Sequence, residues 1–515
     1  MGDSGEPTRR GSGAGDGRDR RGRQRPAART RSAQHRSATR PAERARHTDT
    51  VRLVAYTAMR EIEAGAYANL VLPKLLRERR LTGRDAGFAT ELVYGATRLR
   101  RLYDAVVSHA AARPVERIDG RVLDTLRLGV HQLLGMRVPP HAAVDETVAL
   151  ARQVNGAGPA GLVNAVLRRV SERPLVEWLD VVVEGAVDPV DALAIRTSHP
   201  TWVVRALRAA LIGSGTAGPP DVEDHLARLL EADNTPAKVS LVARPGLATV
   251  AELVAAGAPT SMSSPVGAVL PEGDPGAIPA VREGRAAVQD EGSQLVALAL
   301  AAAPVTGEAE RSDRWLDLCA GPGGKAGLLA ALAIGRGAPF VANDVSEHRA
   351  DLVRQTLVAA RRAAQTAGTS VEVTTRDGRE VGDAEPAAYS RVLLDAPCTG
   401  LGALRRRPEA RWRRTPGDVS ALAGLQRELL GSAVDATAPG GVVGYATCSP
   451  HLNETRFVIE DVLRRRDDVE IVDARELFVD AEGAMLGALG DGPFVQLWPH
   501  LHGTDAMFFA LLRRR

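Results

Sequence analysis

The 515-residue chain holds three cysteines, and each stands just past an apolar run, in DLCAGPGGK, in Asp395-Ala396-Pro397-Cys398 and in Thr447-Cys448-Ser449. Free cysteines are most often small buried hydrophobes. Three in equivalent places of one repeating pattern call for chemistry, and for a thiol that chemistry is nucleophilic addition. Carbon 5 of a cytosine is a target that needs it. A thiolate added to carbon 6 turns carbon 5 into an enamine carbon able to take a methyl group; the carbon-5 proton must then leave and the thioether be expelled. A second thiol or a base beside the first serves that release, and an acid such as Asp395 suits hydrogen bonds to N3 and the exocyclic amine. Thiols are mostly un-ionised at neutrality, so a nearby cation matters. The lysines are Lys74, Lys238 and Lys325, and Lys325 is the one in this half; holding the adjoining loop is an equal role for it. Chemistry alone leaves open which of Cys398 and Cys448 attacks.

A methyl donor needs its own site. Cys319-Ala320-Gly321-Pro322-Gly323-Gly324-Lys325 leaves a predicted strand and runs into the helical stretch KAGLLAALA. Glycines there let the backbone approach a ligand, with helix-end amides facing it. A Walker loop is excluded, because Cys319 stands where its first Gly belongs and Ala326 where Ser or Thr would hold magnesium. The next predicted strands end in Asp344, Asp377 and Asp395. One strand-end Asp is commonly a cap or turn former. Three after a Gly-rich turn suit a ligand with ribose hydroxyls, an adenine amine and a cationic centre, which is the profile of S-adenosylmethionine, and they would repel a polyphosphate.

The elements that must position these residues are apolar runs alternating with helices from about 286 to 515: RWLDLCA, PFVANDV, VEVTTRDG, RVLLDAPC and GGVVGYATCS. That alternation predicts a Rossmann-like, doubly wound, mostly parallel sheet whose ligands sit at the carboxyl ends of its strands. Residues 49–172 show apolar spacings of three and four, predicting an all-α domain. Residues 173–285 mix helices with one strand candidate, KVSLVAR, predicting a small α/β linking domain. Between Cys398 and Cys448 runs RRRPEARWRR; an aromatic ring among arginines suits phosphate contacts with base stacking, so Arg405, Arg406, Arg407, Arg411 and Trp412 are expected RNA contacts. The plainer reading is a solvated loop in an arginine-rich protein.

Lys and Arg total 66 against 63 Asp and Glu. Residues 1–48, rich in Arg, Gly, Ser and Pro, cannot bury enough apolar surface to order, predicting a disordered basic tail. The cysteines form neither a disulfide framework nor CxxC zinc pairs, so no metal is expected. No apolar stretch of membrane-spanning length or signal-peptide core occurs, predicting a cytoplasmic protein. Nothing points to an obligate protein partner.

With these residues in hand, the part from about Gln289 onward resembles the Nol/Nop/Sun family of RNA cytosine-5 methyltransferases, through QDEGSQLVA, DLCAGPGGK, ANDVSEHR, RDGR, LLDAPCTGLGALRRRPEARWRR and YATCSPHLNE. The resemblance implies that Cys319 to Lys325, Asp344, Asp377 and Asp395 bind S-adenosylmethionine, that Cys448 is the nucleophile and that Cys398 assists product release. Residues from about 48 to 170 resemble a NusB-like RNA-binding domain in GRDAGFATELVYGATRLRR, HAAVDETVALA and GLVNAVLRR, and SHPTWVVRAL resembles the region that follows it in the branch acting on bacterial small-subunit (16S) ribosomal RNA, the Sun or RsmB type. One departure is Gly321 where the family more often has Ala, a change expected to loosen the loop. Transfer RNA or DNA as substrate, and a non-catalytic RNA-binding assembly factor, are the alternatives. A relic would be expected to have lost a reactive residue, yet both cysteines and the three carboxylates are present.

Overall fold

The computed structural model of the chain describes residues 49–515. The basic tail expected over 1–48 lies outside those residues. The amino-terminal part is helical: α1 (Thr50–Glu63), α2 (Ala68–Glu78), α3 (Gly83–Arg98), α4 (Arg100–Ala111), α5 (Gly120–Val130), α6 (Pro140–Val154) and α7 (Ala157–Val170). Their apolar stripes close two cores, one around Leu102, Val106, Leu126 and Leu167, the other around Val54, Leu72, Leu92 and Leu128. Asp49 and Asp119 cap α1 and α5 by accepting first-turn N–H groups, satisfying donors that have no helical partner. The long periodic stretch ending in RLRRLYDAVV is two helices, broken at Leu99. Arg101, at the start of α4, donates to the His199 carbonyl at 2.7 Å and so docks this region on the next.

Helices α8 (Thr201–Gly213) and α9 (Val222–Asn234) precede a three-stranded antiparallel sheet in the order β2-β1-β3, built from β1 (Val239–Ala243), β2 (Gly267–Leu270) and β3 (Ala286–Val288). Only β1 is anticipated from the sequence. Ala287 pairs with Val242, so this sheet draws in three residues beyond the expected break at 285.

The carboxyl-terminal part is a mixed, mostly parallel sheet. Strands β4 (Trp315–Asp317), β5 (Phe340–Asn343), β6 (Val371–Thr374), β7 (Tyr389–Asp395) and β8 (Thr437–Thr447) run parallel in the order β6-β5-β4-β7-β8. An antiparallel edge of β11 (Phe508–Arg514), with β9 (Val469–Val472) and β10 (Val495–Gln496) paired to it, completes the sheet. Both faces are covered. Val442 and Ala446 join one core with Leu295, Leu300 and Leu329, while the alternate residues Val443 and Tyr445 join the other with Leu430 and Val458, as the period of two along a strand requires. Flanking helices include α10 (Glu291–Ala302), α11 (Gly324–Gly335) and α12 (Pro416–Ala436), the last opened by Pro416 and a Thr415/Asp418 capping box. Among the described residues no helix is long and apolar enough to cross a membrane. Because β4 to β8 are parallel, their carboxyl ends share one edge, and the chemistry-bearing residues gather there.

Candidate active site

The register of β7 on β8 sets Asp395 against Ala446. Cys398, three residues beyond the first, and Cys448, two beyond the second, therefore meet, with sulfurs 3.5 Å apart in hydrogen-bond contact. The loop after β7 is pressed onto β8: Gly402 N–H donates to the Cys448 carbonyl, and its own carbonyl accepts from Ala506 N–H, both at 2.8 Å. A Cβ at position 402 would lie 2.0 Å from the Ala506 oxygen, so only glycine allows this approach. Glu454, fully buried, joins the two cysteine loops from below. Its carboxylate accepts from Thr399 N at 2.8 Å, from Thr399 Oγ1, and from Ser449 Oγ at 2.6 Å, and these are the residues that follow Cys398 and Cys448.

The electrostatics separate the two thiols. The Cys398 S–H donated to Cys448 draws the Cys448 thiol below its ordinary range, with the Lys325 and Arg407 charges helping and burial and Asp395 opposing. The same bond, with burial, pushes the Cys398 thiol well up. The pair is thus polarised, with Cys448 the more acidic thiol and Cys398 the one that keeps its proton. Lys325 Nζ lies 2.9 Å from Asp395 Oδ2; burial would lower its ammonium, but the Asp395 charge and hydrogen bond prevail and raise it. Lys325 is therefore a fixed cation. Cys319 sits apart from the pair, its thiol held up by burial and by Asp317, Asp344 and Asp395, which suits packing under the turn rather than attack.

On the cofactor side, Asp344 is almost fully buried and accepts from Gly321 N and Ser346 N, each at 3.0 Å. Arg349 reaches over the turn to 3.3 Å from Asp344 Oδ2 and hydrogen-bonds the Gly321 carbonyl. A Cβ on residue 321 would meet Asp344 Oδ2 at 2.5 Å and Arg349 Nε at 2.6 Å. Gly321 thus lets these side chains close on the turn, where a looser loop was expected. Asn343 laces the strand ends, donating to the Leu318 and Arg376 carbonyls. Asp377 stands past β6 with its carboxylate forked by Arg379, which keeps it below the usual carboxylate range. Asp317, at the end of β4, is fully enclosed, and neither carboxylate oxygen has a hydrogen-bond partner. Burial, then the neighbouring Asp395 charge, pushes its carboxyl well up. Such a group is costly unless a ligand brings donors and positive charge to it. A ligand with ribose hydroxyls at one end and a cationic amino acid at the other fits this set of groups.

The arginine segment departs from expectation. Arg411 is fully buried, and its guanidinium donates to the Arg98, Ser198 and Asp233 carbonyls and to Asn234 Oδ1 at 2.6–3.2 Å. Trp412 Nε1 donates to the Thr97 carbonyl at 2.7 Å. Arg405 and Arg406 both pair with Asp290 and Asp505 at 2.6–3.2 Å. Arg411 is shut away from RNA by its burial, its Nε left without a partner and its two terminal nitrogens spent on protein acceptors, and the Trp412 N–H is spent on Thr97. Of the five expected contacts Arg407 is the exposed one, and its charge acts on Cys448.

Against known proteins, the sequence model of the 16S rRNA methyltransferase RsmB/F family matches residues 304–513, and that of the NusB family matches residues 42–172. Ribosomal RNA small subunit methyltransferase B of Pseudomonas putida is 32% identical over 470 residues, covering 90% of this chain and 98% of that one. A provisionally named methyltransferase of Mycobacterium tuberculosis is 50% identical over 474 residues, 92% of this chain and 98% of that one. The chain belongs to the RsmB/F methyltransferase family. The solved structure of PH0851 shares the fold, with a TM-score of 0.71 at 20% identity over 90% of this chain and 98% of that one.

The span matched by the RsmB/F model contains the cysteines, Lys325, the strand-end carboxylates and the arginine segment. It also contains three site residues that sequence reasoning passed over: Asp317, Arg349 and Glu454. Asp317 had a signal, since it ends a strand two residues before a cysteine. Arg349 and Glu454 close the resembling segments ANDVSEHR and YATCSPHLNE, but nothing in their spacing marked them out, since Arg349 reaches back to Gly321 and Glu454 to Thr399.

Proposed function

We propose that this chain transfers a methyl group from S-adenosylmethionine to carbon 5 of a cytosine in RNA, with small-subunit ribosomal RNA as substrate, through an adduct between Cys448 and carbon 6. The observation that carries this reading is the thiol pair, 3.5 Å apart, in which the fixed cation Lys325 and the exposed Arg407 act on Cys448. The relatives' small-subunit methyltransferase names support the choice of RNA. S-adenosylmethionine supplies, when bound, the electrophilic methyl group. Gly321 to Gly324 and the amino terminus of α11 would face it, Asp344 its ribose and Asp317 its cationic end; Asp377, Cys319 and Ala320 shape the same cleft.

Cys448 attacks as the thiolate, breaking the carbon 5–carbon 6 double bond and leaving an enamine. Asp395, held by Lys325, accepts from the exocyclic amine and orients the ring. After methylation the carbon-5 proton passes to a base, its electron pair re-forms the carbon 5–carbon 6 double bond, and Cys448 leaves as a thiolate; the Cys398 thiol, 3.5 Å from that sulfur, assists the departure by donating its S–H to it. Since carbon 6 is inaccessible in a stacked helix, the cytosine is unpaired or turned out.

With Arg411 enclosed and the half-buried Trp412 tied by its N–H to Thr97, the flanking RNA falls to Arg407 and to the open face of α2. Tyr67 and Leu70 are exposed there and lead to the exposed Lys74, Arg77, Arg79 and Arg80, a pattern suited to bases first and phosphates beyond.

Transfer of labelled methyl to deproteinised small-subunit ribosomal RNA tests the reading. Label on cytosine carbon 5, lost in Cys448→Ala and accompanied by a trapped protein–RNA adduct in Cys398→Ala, is the expected result. Label on transfer RNA alone would replace the substrate, and full turnover in Cys448→Ala would overturn the chemistry.

A further inference from the structure

The loop from β7 to α12 starts at Cys398 and comes back to it, for Arg414 Nε donates to the Thr399 carbonyl at 3.2 Å. Between these points Gly402 rests on Cys448 and Ala506 and Arg405 and Arg406 pair with Asp505, and the remaining anchors lie outside the methyltransferase fold. Leu401 and Leu404 are buried in the core of α8 and α9, beside Val203, Leu207, Leu226 and Leu230. Arg411 is clamped between the end of α3, Ser198 and the end of α9. Trp412 is fixed to Thr97, and Arg413 donates to the Ile62 and Ala66 carbonyls where α1 passes to α2 and lies over the Tyr67 ring. Glu409 accepts from Ala68 N–H at 3.3 Å.

The last carbonyls of a helix have no partner within it, and a planar guanidinium with five donors satisfies several at once. One side chain therefore joins elements that are far apart in sequence. Burial draws the Arg411 guanidinium down to about 9 and the nearby Asp233 carboxyl up to about 7, so the location is costly for charge and is sustained by its hydrogen bonds. From Arg411 the path to the chemistry is short: three residues to Arg414, its bond to the Thr399 carbonyl, then Cys398.

We infer that Arg411 is a positioning residue for the thiol pair: the helical and linking regions hold Cys398 beside Cys448 through the 409–414 strap, and so form part of the active-site architecture. The inference rests on the reading of these cysteines as the reactive pair. A long surface loop without such anchors would be free to wander, and a misplacement of about 1 Å costs on the order of 100-fold in rate.

The test uses the full chain with Arg411→Met, Arg411→Lys and Trp412→Phe. Cys448 alkylation by iodoacetamide is followed against pH by peptide mass spectrometry, beside S-adenosylmethionine affinity and methyl transfer. The groups facing Cys448 are Cys398, Lys325, Arg407 and Asp395; the strap bears directly on the first. In Arg411→Met, cofactor affinity should stay within about twofold while the alkylation midpoint moves up towards that of a free thiol and transfer falls about 10- to 100-fold. Arg411→Lys should recover part of both. Should Arg411→Met fail to fold, Trp412→Phe, which removes the bond to Thr97 and shrinks the ring that Arg100 lies over, and Arg411→Lys decide by smaller shifts in the same direction. Alkylation profiles superimposable on wild type in folded strap variants would overturn the inference. A wild-type protein with the lowered Cys448 midpoint but no transfer to any RNA would defeat the proposed function instead.

Discussion

Three neighbours lower the Cys448 thiol pKa, and removing the nearest should be visible without any substrate. A lowered thiol pKa means that the reactive anion appears at lower pH, so alkylation of wild-type Cys448 should rise with pH through a midpoint below the roughly 8.5 of a free cysteine. In Cys398→Ala the hydrogen-bond donor is gone and the midpoint should move upward, with Lys325 and Arg407 still limiting the change. A midpoint that stays put would remove Cys398 from this role. Asp317 makes the opposite kind of case. Its folded-state pKa is raised by burial and by Asp395, so as pH climbs past the unfolded value of about 3.9 the unfolded chain gives up a proton that the fold retains, and stability falls. Asp317→Asn should therefore melt higher than the free wild type at neutral pH, yet bind S-adenosylmethionine more weakly. Calorimetry across pH with and without the cofactor checks both halves, and an unchanged affinity would remove Asp317 from the cofactor site.

Strand ends were legible from sequence because parallel strands buried on both faces read as apolar runs, and an Asp, Asn or Cys after such a run marks where the chain leaves the sheet. That placed Cys398, Cys448, Asp344 and Asp395 on one edge before any contact was known. Arg411 was misread because it has the same side chain whether it meets phosphates or carbonyls, and its acceptors lie on segments far away in sequence. β3 escaped because three residues carry too little pattern, and the edge strands β9 and β10 because they are shorter than or comparable to ordinary loops. Glu454 was illegible for another reason: HLNE shows a polar turn, and only the fold reveals that its carboxylate joins the loops after β7 and β8. Glu454→Ala strands the buried donors at Thr399 and Ser449, which at about 1–3 kcal/mol for an unsatisfied group should lower the denaturant midpoint without changing its slope. Methyl transfer measured well below the melting range should fall further than that loss explains. Wild-type turnover in a destabilised variant would make Glu454 a matter of stability only.

Across the whole molecule, the helical region meets the active-site loop at the end of α3 and where α1 passes to α2, and on the proposed function the second contact would give substrate RNA a direction. Arg413 lies 5.3 Å over the Tyr67 ring, and from Tyr67 the residues Leu70, Lys74 and Arg77 follow at spacings of three and four, on one face of the helix. At a rise of about 1.5 Å per residue the stripe runs roughly 15 Å outward from the loop. Lys74 has a partner, Glu78 at 4.0 Å, with both side chains well exposed, a pair worth little in water. An RNA strand leaving the cysteines past Arg407 would meet an aromatic ring first and cations afterwards. Replacing Arg77, Arg79 and Arg80 with Gln should then act on affinity rather than on chemistry. For single-stranded RNA the slope of log affinity against log salt should become shallower by about 0.7 for each phosphate that is no longer neutralised, while transfer at saturating RNA and the Cys448 alkylation profile stay as in wild type. An unchanged slope would mean that these arginines are only solvated and that RNA reaches the cysteines over another face; a changed alkylation profile would mean that α2 acts through the strap and not through RNA.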